Sequence, residues 1–153
     1  MPPQMMKRWF AGGPHVDQEI TDMFRQDLID IGHGKVRHWM GTRDGILATI
    51  ILCDQFSRNI FKGRAEAFSF DHISLGLTKS IISRYEEFKD YKNFEKLFII
   101  MPLMHSESVE DCQLCVDIIQ EMMDELQQKG MKDLCKIFNL NKKWALEHLE
   151  ILQ

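Results

Sequence analysis

With 153 residues, 44% of them hydrophobic, the chain is long enough to bury a core as one domain without metal or disulfide staples. A net charge of -4, with no basic run longer than Lys7-Arg8 or Lys142-Lys143, leaves no footprint for a phosphate backbone, so no nucleic-acid partner is expected. No window reaches the roughly 18 apolar residues of a membrane span, and Met1 to Arg8 has no apolar stretch behind its charges, so the expected address is the cytosol.

Taken in chain order, Gly12-Gly13-Pro14 reads as a loop, followed by Asp17 as the N-cap of a helix marked by Ile20, Phe24, Leu28 and Ile31. Gly32-His33-Gly34 stops it. Thr42 caps a second helix, apolar nearly all round from Ile46 to Cys53 and therefore expected to be central. Phe70, Ile73, Leu77 and Ile81 mark a third, ending near Tyr85 in a charged turn, Glu86 to Asp90. A fourth runs from about Lys92 toward Pro102, where the missing backbone donor predicts a kink or stop that presents Met104 to Glu107 from irregular chain. Ser108 opens the fifth, with Asp111 in the place of a capping-box acid, and a seam of Val109, Cys112, Val116, Ile119, Met123 and Leu126 suits an antiparallel neighbour. Gly130 ends it. A last stretch from Met131 is expected to break at Asn139-Leu140-Asn141 and resume through Trp144, Leu146 and Leu149. The whole, residues 1–153, reads as a single all-α domain of six or seven short helices in antiparallel pairs.

Two apolar helices run straight into polar strings, Asp54-Gln55-Phe56-Ser57-Arg58-Asn59 and His105-Ser106-Glu107. Polar groups beside a core need partners, so these strings are expected to meet in space and to mark the site. Asp54 with Arg58, and Gln55 with Asn59, are each four apart, predicting an ion pair beside an amide pair. Arginine's planar fork suits a carboxylate or phosphate, and His105 has the chemistry of a proton carrier near neutral pH. Ser106 lacks the Gly-x-Ser-x-Gly elbow of an esterase nucleophile. Cys112 and Cys115, at a redox-like spacing, lie with Cys53 and Cys135 in apolar helical patterns and read as reduced core residues. The six histidines are scattered without a zinc pattern, so no metal and no cofactor is expected.

Arg8-Trp9-Phe10-Ala11-Gly12-Gly13-Pro14, Val16-Asp17, Glu19-Ile20, the string Asp54 to Phe61, Ala67-Phe68 and Pro102 to Glu107 together resemble domain-of-unknown-function family 924, over roughly residues 7 to 130. The resemblance implies a helical array like the tetratricopeptide-repeat (TPR) superfamily, and signature positions at Arg8, Trp9, Asp54, Gln55, Arg58, Asn59, His105, Ser106 and Glu107. Ser57 stands where the family usually has proline, and the family's usual N-terminal helix and C-terminal signature are not seen in the chain. The expected function is a binding or scaffolding module for a protein or peptide, with self-association open to it, rather than an enzyme. The alternative is a small enzyme or ligand-binding protein for an anionic small molecule, using the Asp, Arg, Asn, His and Glu of the polar cluster.

Overall fold

The structure, a computed structural model, describes residues 12–153. These residues form helices joined by short turns, with no strand among them, and the chain divides into two compact units, Met1–Leu77 and Thr78–Gln153.

The first unit opens with α1 (Gly13–Gly32), whose start is set by Gly12 and Pro14. Proline suits this position because its fixed φ matches the helix and its missing donor would be unpaired there anyway. Asp17 is therefore one turn inside the helix, not its N-cap, which frees its carboxylate for a partner elsewhere. A 3-10 turn (Arg37–Gly41) leads to α2 (Arg43–Ile51), where Thr42 Oγ1 accepts from Gly45 N at 3.0 Å, the cap expected from sequence. Gly45 is required by packing: a Cβ there would stand 1.9 Å from the Trp39 carbonyl oxygen. From Ile51 the chain enters a π turn (Leu52–Phe56) and returns to α-helix as α3 (Ser57–Ile60). A 3-10 turn (Ala65–Phe68) precedes α4 (Asp71–Ser83), which crosses the boundary of the unit after Leu77. Leu28, Ile31, Leu52, Cys53, Phe61 and Ala67 form the core of the first unit, with Phe24, Phe56 and Phe70 packed on it.

In the second unit the charged segment after Arg84 is itself a short helix, α5 (Tyr85–Asp90), where a turn was expected. Its Phe88, only 1% exposed, explains the difference: the apolar ring anchors the turn and the charges face out. Helix α6 (Asn93–His105) carries Pro102 inside it and continues to His105, so the proline neither ends the helix nor leaves Met104 in irregular chain. Burial holds this stretch in place, since every residue from Leu97 to Met104 is buried. Thr78 Oγ1 also donates to the Ile99 carbonyl at 2.6 Å, close to where Pro102 lacks a backbone donor. Ser108 caps α7 (Val109–Gln128) by accepting from Asp111 N at 3.3 Å, and Gly130, at φ 72, makes the turn into α8. Helix α8 (Lys132–Leu152) is unbroken at Asn139-Leu140-Asn141. Asn141 Nδ2 donates to the Ile137 carbonyl one turn back, so the helix accommodates the polar residue expected to interrupt it. Phe138, Ala145 and Leu149 are buried on the α7-facing side.

Candidate functional site

The Asp54 string lies in the π turn. A π turn carries one residue more than an α turn and draws backbone carbonyls away from their usual amides. Side chains answer: Ser57 Oγ donates to the Cys53 carbonyl at 2.5 Å, and Arg58 Nη1 to the Asp54 carbonyl at 2.5 Å. The Asp54 carboxylate, 1% exposed, accepts from Gln55 Nε2 at 2.9 Å and has Arg58 Nη1 3.6 Å away. The stronger partner of Arg58 is Asp71 at the start of α4, which takes both ends of the guanidinium, at 2.9 and 3.1 Å. A fork-to-fork pair of this kind fixes the guanidinium plane as well as its charge. Over that plane lies Phe68, its ring centroid 5.3 Å from Arg58 Cζ and the residue 61% exposed. Beneath, burial first and then the charges of Asp54 and Asp71 push the Cys53 thiol up to about 12, so it stays protonated and unreactive.

Asn59 turns to α1, where its Nδ2 donates to Asp17 Oδ1 at 2.8 Å while Lys62 Nζ bonds Asp17 Oδ2 at 3.0 Å. Burial alone would push the Asp17 carboxyl up; the two hydrogen bonds and the Lys62 charge outweigh it and hold the group below its ordinary value. The expected amide pair of Gln55 with Asn59 is thus replaced by two bonds to carboxylates, Gln55 to Asp54 and Asn59 to Asp17. Neither Asp71 nor Asp17 was singled out as a partner of these residues from the sequence.

In the second unit His105 is the last residue of α6, half-buried, and Glu107 is exposed. Ser106 is the centre of a knot around the start of α7: its Oγ donates to Asp111 Oδ2 at 2.7 Å and accepts from Ser108 N at 3.1 Å. The bond back to the cap residue, expected from the Asp111 carboxylate, thus comes from the Ser106 hydroxyl, while Asp111 pairs with Lys79 Nζ at 3.1 Å. The Ser106 carbonyl meets His148 Nε2 at 3.0 Å, and Cys112 Sγ reaches the Leu103 and Ser106 carbonyls at 3.6 and 3.4 Å. All four cysteines are free, and burial followed by the charge of Asp111 raises Cys112 while burial and then Cys112 push Cys115 up to about 12. The core reading of the Cys112-Cys115 pair accords with this burial. The Ser106 hydroxyl is thus held by a carboxylate and an amide, and its carbonyl by the His148 imidazole.

The predicted site residues thus fall in both units, Asp54, Gln55, Arg58 and Asn59 in the first, His105, Ser106 and Glu107 in the second. Arg8 and Trp9 lie outside the described residues.

Comparison with known proteins places the chain in a family. The model of the bacterial proteins of unknown function, DUF924, matches residues 2–153, and the chain belongs to that family. The match is wider than the span of motifs, residues 7 to 130, that carried the resemblance. A solved structure of a protein of unknown function, ATU0120 from Agrobacterium tumefaciens, has the same fold at 23% identity and a TM-score of 0.76, over 95% of this chain and 74% of that one. No curated protein matches.

Proposed function

We propose that the protein is a cytosolic, TPR-like helical binding module that holds a protein or peptide partner. The observation that supports this reading is an aromatic ring left in the open. Phe68 is 61% exposed and is braced by Arg58, whose own plane is pinned by Asp71. An aromatic side chain backed by an ordered arginine loses little freedom on docking, and such residues dominate the energetics of protein interfaces. A small anionic ligand at Arg58 and Asn59 is less well supported, because each already serves a carboxylate that the ligand would have to displace. The test is a photo-crosslinking residue placed at Phe68 in the full chain and exposed to extract of the host cell. One dominant adduct, competed by unlabelled protein, is expected. Adducts no more selective than those from Met23, 68% exposed in the same unit, would defeat the reading.

A further inference from the structure

We propose that α8 carries a self-complementary face by which two copies of the chain pair antiparallel, helix against helix, about a two-fold axis.

Helix α8 has two apolar stripes. One, Phe138, Ala145 and Leu149, is buried with α7 as its neighbour. The other lies on the opposite side: Leu140 is 45% exposed, Trp144 42% and Ile151 79%. With the half-buried Ile137 and the exposed Glu147, these residues recur at alternating steps of three and four along Lys132–Leu152. That spacing is the a/d pattern of a helix seam, and a solvent-facing stripe with it is unusual for a helix already docked on one side. Trp144, Ile151 and Ile137 take the a positions, and Leu140 and Glu147 the d positions.

The charges select the occupant and its direction. Lys143 and Glu150, both exposed, precede Trp144 and Ile151 and so occupy the g positions beside the seam. In an antiparallel pair g faces g, which sets Lys143 of each copy against Glu150 of the other, twice over by symmetry. A parallel pair would instead set Glu147 against its own copy at a d layer, where like charges repel. Antiparallel alignment puts Glu147 opposite Trp144 and Leu140 opposite Ile151. One surface therefore supplies both halves of an attractive contact, as a two-fold interface requires. Lys143 and Glu150 are seven residues apart on one helix, two turns, so they do not pair with each other within a chain.

The experiment is a sedimentation-equilibrium series on the full chain at low salt, with circular dichroism confirming the fold of each variant. The wild-type mass should rise with concentration from one chain toward two. Trp144→Glu should keep it at one chain. Lys143→Glu or Glu150→Lys alone turns both symmetric attractions into repulsions and should weaken pairing about tenfold or more. The double exchange, Lys143→Glu with Glu150→Lys, should restore it, since only contact between the two positions on different copies predicts rescue. A wild-type chain that stays single at the highest concentration, pairing that survives Trp144→Glu, or a double exchange without rescue would each overturn the proposal. None of these outcomes bears on crosslinking at Phe68, so this inference and the binding function stand or fall separately.

Discussion

The π turn at the end of α2 and the last turns of α6 meet the same difficulty, an apolar helix whose backbone falls out of regular bonding as it reaches polar sequence, and they use different chemistry to meet it. In the first unit the loosened carbonyls are served by a hydroxyl and a guanidinium, and the guanidinium is shared with two carboxylates, Asp54 and Asp71. In the second, the carbonyls of Leu103 and Ser106 go to a thiol and an imidazole. The ionic solution holds the Asp54 carboxylate at 1% exposure, so losing Arg58 takes a cationic partner from a buried group; losing the Cys112 thiol takes no partner from a carboxylate. The lesson is that similar strings in one chain need not share a role. The first network is dear to break and sensitive to charge, the second cheap and indifferent to it.

Arg58→Ala should produce the largest effect, about 3 kcal/mol lost in urea unfolding, because it removes a partner from buried Asp54 and both bonds from Asp71. A loss under about 1 kcal/mol would place this network with exposed ion pairs and erase the contrast. Gly45→Ala strikes the other end of the same rod. Its new methyl would meet the Trp39 carbonyl at 1.9 Å, and a drop of about 2 kcal/mol in the same assay is expected. If alanine is tolerated there, the turn before α2 is looser than its geometry. Cys112→Ala probes the neutral side and should cost about 1 kcal/mol, with no dependence on salt, as a buried thiol with weak bonds would. A cost equal to that of Arg58→Ala would remove the distinction between the two regions.

The smallest effect concerns acid. Asp17 has its folded pKa below the unfolded value of 3.8, so its contribution is complete above that value and disappears as pH falls through the folded one. Asn59→Ala or Lys62→Ala should raise the Asp17 value followed by NMR titration and shift the onset of acid unfolding slightly upward. An Asp17 titration unmoved by both variants would detach it from the network.

Much of this fold was legible locally. Thr42 and Ser108 announced their caps, Gly130 its turn, and the 3.6-residue spacing of Phe70 to Ile81 its helix, because each signal lies within a few residues of its effect. The site was legible only in its residue types. Arg58 pairs with Asp54 as the four-residue spacing predicts, but its two-ended partner is thirteen residues away at the start of another helix, and the partner of Asn59 is 42 residues away. No local rule reaches that far. Around Phe88 and Pro102 the error runs in the opposite sense: composition predicts a charged turn at the first and a kink or stop followed by irregular chain at the second, and burial keeps both stretches helical.

The π turn sets an angle as well as a bonding pattern. One surplus residue turns everything after it by about 100° around the axis relative to an uninterrupted α-helix. Arg58 and Asn59 meet Asp71 and Asp17 from that rotated position. Rewinding the same residues as an uninterrupted α-helix would swing both side chains off their partners, whereas a chain shortened by one residue between Leu52 and Phe56 would regain the regular path and keep both in phase. The irregular turn works as a phase shifter: it houses one extra residue while Arg58 and Asn59 stay aimed at their carboxylates.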